Sequence, residues 1–182
     1  MAVVINGNGA VTGLTALPDS AMAEGSIVQV KQTVKTDTFS TTSTSAVDVT
    51  GLSVSITPTS TSNKILVTYD VKASCENVQM SFFLLRDSTN IYIGDASGNR
   101  IRVSSVVGGV PDADGSVTNR TGLQMHVMFL DSPSTTSEIT YKLQCQLNNG
   151  DGYVNRARDD QNEVYRNRSA SSITVMEVLA WV

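Results

Sequence analysis

The residues that could carry out chemistry are few in this chain, and the first of them is its single histidine. His126 lies in an alternating run beside Gln124 and Met128, which is the pattern of a strand face. No G-x-S-x-G sequence occurs in the chain, so a serine hydrolase triad has no nucleophile motif here. We therefore expect His126 to be a face residue that packs or hydrogen-bonds at an interface.

Carboxylates form the second such group. Asp112 and Asp114, followed by Gly115, resemble the start of a calcium loop, in which alternate acids converge on the cation and a glycine permits the turn. The bidentate acid expected further along such a loop is absent from the sequence. An ordinary solvated turn is the favoured interpretation, and neither a metal nor any other cofactor is predicted.

A second acidic cluster lies between residues 151 and 163. Two carboxylates on opposite walls of a groove can hydrolyse a glycosidic bond, so a glycan depolymerase using Asp159 stays an alternative. Four arginines in the same region match four acids in charge, which favours a charge network, either solvated or between subunits. The acids are Asp151, Asp159, Asp160 and Glu163, and the arginines are Arg156, Arg158, Arg166 and Arg168.

Only two cysteines are present, Cys75 and Cys145. Their separation fits no zinc motif, and both fall in strand-like runs. We expect two small buried thiols in a protein that folds in a reducing cytosol. The first residues have no basic start and no unbroken apolar run, so no secretory signal is expected, and no membrane-spanning segment is predicted.

The composition is that of a β protein. Hydrophobic residues make up 40% of the chain and charged residues 16%, and Val, Ser and Thr are abundant while strong helix formers are scarce. The formal net charge is −4 and the pI is about 4.9. This sign is wrong for a protein that neutralises many phosphates or lies on anionic lipid. Nucleic acid and membrane are therefore excluded as expected partners.

From residue 26 onward, apolar and polar residues alternate with a period of two. The clearest runs are 64–71, 123–130 and 139–147, and Asn149-Gly150 is a hairpin signal. Nine or ten strands without a substantial helix predict an antiparallel β-sandwich, jelly-roll-like, over residues 26–182. Two separate strands are expected on either side of Gly51, and one over 101–107.

Residues 1–25 differ from the rest and predict an extended N-terminal arm, with at most one helical turn that ends at Gly25. A segment this short cannot bury a core of its own, so its apolar residues are expected to dock on the main domain or on another subunit. The residues predicted to make these contacts are Val3, Val4, Ile5, Val11, Leu14, Leu17 and Met22.

Four strings carry a family resemblance: VINGNGAVTGLTALPD at 4–19, FSTTSTSAVDVTGLSVSITP at 39–58, SNKILV at 62–67 and SASSITVME at 169–177. They resemble segments of structural proteins of marine tailed phages, particularly cyanophages, which are tail fibres, head fibres or capsid decoration proteins. The resemblance implies a virion surface protein, made in the cytoplasm of the host bacterium, that is attached by its N-terminal segment. It also implies an outward-facing β domain, other virion proteins as partners (major capsid or tail proteins), and commonly a homotrimer.

These observations predict a non-enzymatic virion surface protein. The main alternative is a tail-tip receptor-binding module, whose loops at 94–120 and 148–170 would contact a host glycan or outer-membrane protein on the cell surface. The residues expected at such outer-loop contacts are Asp112, Asp114, Arg156, Arg158 and Tyr165.

Overall fold

The structure is a computed structural model that describes residues 4–5, 11–12, 21–75, 79–108, 122–164 and 166–180. These residues form thirteen strands, and every strand pairing between them is antiparallel. The predicted all-β antiparallel architecture is therefore confirmed. The division into an arm (1–25) and a β domain (26–182) stays a prediction.

A pair of two-residue strands precedes two larger sheets. The pair is β1 (Val4–Ile5) with β2 (Val11–Thr12). Sheet 1 contains β3 (Ile27–Lys35), β4 (Phe39–Thr41), β6 (Lys64–Cys75), β10 (Leu123–Asp131), β12 (Gly152–Val154) and β13 (Ser171–Val178). Sheet 2 contains β5 (Val47–Ile56), β7 (Gln79–Arg86), β8 (Thr89–Ile91), β9 (Ser105–Gly108) and β11 (Ile139–Leu147).

The long strand β6 organises sheet 1. One of its edges pairs with β10 along residues 65–73. Its other edge pairs with β13 along residues 64–70 and then with β12 along residues 73–75. Strand β3 pairs with β13, and β4 with β12, so sheet 1 is four strands wide. In sheet 2, β11 lies between β5 and β7, and β8 and β9 share the far edge of β7.

The core lies between the inner faces of the two sheets. Along β6, residues 65, 67, 69, 71 and 73 are buried, while the alternate residues are half-exposed. They meet fully buried side chains of sheet 2 such as Phe82, Leu84 and Leu143. Burying each side chain of this size contributes about 1.5–3 kcal/mol. The period-two pattern read from the sequence is thus the pattern of core burial.

Both cysteines are buried in this core and neither forms a disulfide, as predicted. Burial raises the pKa of Cys75, and it raises the pKa of Cys145 to about 12. Because the thiolate is the reactive form, the two side chains behave as small apolar groups.

A cluster of polar side chains joins the two sheets at one end. Arg86 of sheet 2 places Nη1 3.0 and 2.9 Å from the two carboxylate oxygens of Asp131 in sheet 1. Tyr141 of sheet 2 donates its hydroxyl to Asp131 Oδ2 at 2.7 Å. Burial and the hydrogen bond to Asp131 raise the pKa of Tyr141. The buried carboxylate is therefore paired on both sides, as a buried charge requires.

The prediction of separate strands around Gly51 is wrong, because one strand, β5, runs through it. Gly51 has φ +86°, and the register of β5 against β11 shifts between Lys142 and Gln144. The extra residues of β5 form a bulge, which the left-handed glycine permits.

The strand predicted over 101–107 begins later than predicted. Strand pairing with β7 begins at Ser105. Ser104 N still donates to Phe82 O at 2.9 Å, but the Ser104 hydroxyl, and not a backbone carbonyl, accepts from Leu84 N at 2.8 Å.

Strand β12 ends at Val154, and the next residue, Asn155, has a φ of +64°. Its fully buried side chain donates Nδ2 to the carbonyls of Lys35 (2.9 Å) and Asp37 (3.0 Å) and accepts from Ser171 Oγ at 2.6 Å. Its backbone N–H donates to Lys72 O at 2.9 Å. The side chain and the backbone N–H of this one residue together connect β3, β6 and β13 where the loop after β12 begins.

Candidate assembly surface

A row of large apolar side chains crosses the outer face of sheet 1. Met176 of β13 is the direct cross-strand neighbour of Val30 on β3 and of Leu66 on β6, and Leu66 is opposite Leu130 on β10. Met128 lies two residues before Leu130 on the same face. We call these five residues the apolar band. It spans four strands, which at normal strand spacing is about 14 Å.

The band is open to solvent. Val30 is 53% exposed, Met128 58% and Leu130 42%, and Leu66 and Met176 are half-exposed. Single exposed apolar residues are common on protein surfaces, but a contiguous group marks an interaction site. The outer face of sheet 1 is therefore the candidate functional surface.

Polar side chains border the band. Gln32 donates to Thr174 Oγ1 at 2.8 Å, and beyond them Gln124 donates to Asp70 across β10 and β6. On the other side, Lys64 donates to Ser132 Oγ at 2.9 Å. An apolar centre with a hydrogen-bonded polar rim is the usual anatomy of a protein–protein interface.

His126 lies on this outer face, exposed, directly opposite Asp70. The predicted placement on a strand face is therefore correct. Its strand, β10, pairs with β6 along one edge, and in the described part of the chain no strand pairs with its other edge. Strand β10 contains no Lys, Arg or Pro, the residues that usually protect an edge from pairing with another chain.

The last residue of the predicted arm, Gly25, joins the sandwich at the band's end of sheet 1. Gly25 N donates to Leu179 O at 3.1 Å, and Leu179 N donates to Ser26 O at 3.0 Å. These bonds extend the pairing of β3 with β13 and lie close to the row of Val30 and Met176. Gly25 has φ +79°, and Ser26 N donates to Ala23 O at 3.0 Å, so a hydrogen-bonded turn over 23–26 leads into β3.

The predicted arm contacts are only partly within the described residues. Val4 and Ile5 pair with Thr12 and Val11 through their backbones, and Met22 is half-buried. Val3, Leu14 and Leu17 lie outside the described residues, as do the predicted loop contacts Asp112, Asp114 and Tyr165.

The charge network predicted around residues 151–168 is present. Arg166 Nη2 lies 2.7 Å from Asp159 Oδ2, and Arg168 Nη2 lies 2.7 Å from Asp160 Oδ2. Arg156 lies 3.7 Å from the same Asp160 carboxylate and places its guanidinium 4.2 Å from the centre of the Tyr153 ring. Arg158, the other predicted contact in this loop, is half-buried. The region lies at the end of sheet 1 opposite the arm junction, because β12 pairs with the last residues of β6.

A buried acid on β13 was not singled out from the sequence. Glu177 is fully buried and accepts hydrogen bonds from Thr59 N (2.7 Å), Thr59 Oγ1 (2.9 Å), Asn63 Nδ2 (2.7 Å) and Gln29 Nε2 (2.5 Å). Burial raises the pKa of Glu177, but the hydrogen bonds from Asn63, Gln29 and Thr59 outweigh it and hold the pKa below its ordinary value. Its place on the face shared with Ile173 and Val175 was the signal that could have revealed it.

Among the described residues, no group of three or more His, Cys, Asp or Glu side chains is arranged to hold a metal ion. No helix in the described part of the chain has the length and apolar character needed to cross a membrane.

No protein family matches the sequence, and no curated protein is significantly similar to it. A solved structure of infectious bursal disease virus, Gt strain, is 13% identical, with a TM-score of 0.41 over 93% of this chain and 44% of that chain. The VP2 subviral particle of that virus is 12% identical, with a TM-score of 0.37 over 84% and 38%. A structure of the Gx strain is 14% identical, with a TM-score of 0.37 over 92% of this chain and 41% of that chain. This chain spans less than half the length of each. Its fold is assigned from its own strand pairing.

Proposed function

We propose that this chain is a non-enzymatic structural protein of a phage virion surface, a capsid decoration protein or fibre. In this proposal residues 1–25 attach it to the particle and the β domain faces outward. The observation that carries the proposal is the exposed apolar band beside the arm junction. The resemblance of four sequence segments to marine tailed-phage structural proteins supports the same role.

The band is proposed as the contact with a second copy of this chain in a homo-oligomer, of which a trimer is the expected form. Removing five large apolar side chains from water would contribute several kcal/mol to association. The arm leaves from the band's end of the sheet. In a trimer whose axis runs parallel to these strands, the arms would lie on the same side of the oligomer, toward the particle, and the 151–168 loops on the opposite side.

Sedimentation equilibrium tests the band. The intact chain should be an oligomer, and Met128→Lys should weaken association at least tenfold, because burying an unpaired charge in an apolar interface is unfavourable. Val106→Lys is the matched control, since Val106 is 49% exposed but lies on β9 in sheet 2. A monomeric wild-type protein, or an unchanged association constant for Met128→Lys, would contradict the proposed contact.

The number of copies per purified particle separates the two forms of the proposal. Many copies indicate a capsid decoration protein, and a few indicate a fibre. The depolymerase alternative is less supported, because Asp159 and Asp160 are both engaged by arginines. Cleavage of a host polysaccharide by the purified protein, lost in Asp159→Asn, would be needed to restore it.

Receptor binding at a tail tip is the second candidate function. It is favoured by one specific observation, an exposed tyrosine in an open cavity beside the 94–104 segment.

A further inference from the structure

We infer that the cavity beside Tyr92 is a binding site for one ring of a neutral saccharide. This inference deepens the second candidate function, host-surface binding, and does not depend on attachment through the arm. The cavity has a volume of about 610 Å³ and lies where the chain turns from β8 toward β9. Pockets for small ligands commonly have volumes of 300–1,000 Å³.

The first observation is the conformation of Tyr92. Its φ is +51°, and its side chain is 44% exposed. A non-glycine residue with positive φ is uncommon, and the strain that it carries is concentrated at functional sites. The tyrosine directly follows β8, so its unusual backbone sets the direction in which the ring leaves the sheet edge.

The second observation is the support beneath the ring. The Tyr92 ring centroid lies 5.2 Å from that of Phe129, with the planes at 43°. Phe129 belongs to β10 and packs against the core. One aromatic residue thus supports the other, and the exposed part of Tyr92 forms a platform of fixed orientation.

The walls of the cavity are held by hydrogen bonds within the protein. Ser104 accepts from Leu84 N at 2.8 Å and donates to Ile91 O at 3.3 Å. Arg102 Nε donates to Gly94 O at 2.5 Å. A ligand would therefore meet a site that is already formed, so binding would lose little conformational entropy.

The chemistry of the lining selects the ligand class. The lining combines the rings of Tyr92 and Phe129 with aliphatic side chains and with the amide of Asn90. None of the described residues that line the cavity is charged. A pyranose ring fits this combination, because its C–H face stacks on an aromatic ring while its hydroxyls bond to an amide that both donates and accepts. The absence of a lining cation among these residues favours a neutral sugar over an acidic one.

Ligand-observed NMR and calorimetry on the full chain test the inference. The probes are methyl glycosides of glucose, galactose, mannose and N-acetylglucosamine, and disaccharides built from them. At least one should bind with a dissociation constant on the order of 1 mM, the range expected for so few ligand atoms. Tyr92→Ala should weaken that binding at least tenfold, and Tyr92→Trp should retain it.

Ile101→Ala is the control, since Ile101 is 52% exposed in the same segment but does not line the cavity. Tyr92→Gly is a second variant, because glycine adopts positive φ without strain and keeps the backbone in place. If no probe binds to the folded wild-type chain, or if both Tyr92→Ala and Tyr92→Gly bind as tightly as it does, the saccharide site is refuted. If the protein binds a saccharide but does not adsorb to host cells, the receptor-binding function is refuted and the saccharide site stands.

Discussion

Glu177 illustrates what a single residue does in this fold. Its carboxylate is fully buried, and the four hydrogen bonds that it accepts from the described residues all come from neutral donors. Three of these hydrogen bonds come from Thr59 and Asn63, in the turn between β5 and β6. The acid therefore fastens that turn to β13, more than one hundred residues away in sequence.

Its lowered pKa predicts acid sensitivity. Below the ordinary pKa of about 4.5 the unfolded chain binds a proton at this position more readily than the folded chain does. The stabilisation is therefore complete above pH 4.5 and is lost as the pH falls through the folded-state pKa. Urea unfolding between pH 7 and pH 3 should show a decreasing free energy of unfolding.

Urea unfolding of Glu177→Gln over the same pH range separates the contribution of Glu177 to stability from the contributions of the other acids. At pH 7 the variant should lose about 2 kcal/mol, because an amide places donors against donors, and the difference from wild type should shrink toward pH 3. Glu138→Gln, at an exposed site, should change the stability by less than about 0.5 kcal/mol. An equal pH dependence in wild type and Glu177→Gln would show that this carboxyl makes no contribution.

At the scale of elements, alternation predicts the long strands well and the short ones poorly. The observed limits of β6, β10 and β11 lie close to the predicted runs. A strand with one buried face alternates apolar and polar residues, so its limits can be read from the sequence. Strand β9 was predicted to begin four residues too early, at 101 instead of 105, and the bulge in β5 was missed. Their limits are set by partners distant in sequence, such as the Ser104 hydroxyl on Leu84 N.

Substitution of Gly51 tests whether the bulge in β5 requires a glycine. A Cβ at position 51 would lie 3.5 Å from Lys35 Nζ, which is an ordinary contact, so only the φ of +86° opposes a side chain. Gly51→Ala should therefore cost about 1–2 kcal/mol in the free energy of unfolding. Gly94→Ala is the matched control, with open space around its Cβ, and should be nearly neutral. Equal stability of the two variants would show that β5 relaxes around the substitution.

At the scale of the whole molecule, the sequence predicts a two-sheet antiparallel protein but not its strand order. The partners of β6 are β10, β12 and β13, which follow it after long intervals. No local pattern specifies such pairings. For the same reason the apolar band could not be predicted: Val30, Leu66 and Leu130 are ordinary outward residues until the sheet brings them together. The division into an N-terminal arm and a β domain was also predicted from the sequence, and it stays a prediction.

Deleting residues 1–20 tests the proposed role of the arm. Strands β1 and β2 pair with each other, while the sandwich begins at Gly25 and Ser26. The truncated chain should therefore keep its circular dichroism spectrum and unfold within about 1 kcal/mol of the full chain. It should be absent from purified particles assembled in its presence, as measured by immunoblot. Full incorporation of the truncated chain would contradict attachment through the arm.

The two enclosed thiols have a consequence for the conditions in which the molecule can persist. Because neither Cys75 nor Cys145 is cross-linked, the fold gains nothing from an oxidant and loses nothing to a reductant. Because burial keeps both protonated, dissolved oxygen and small disulfides have little thiolate to attack. Both thiols should therefore stay reduced in reducing and in oxidising solution alike, so the stability of the fold does not depend on the redox conditions around it.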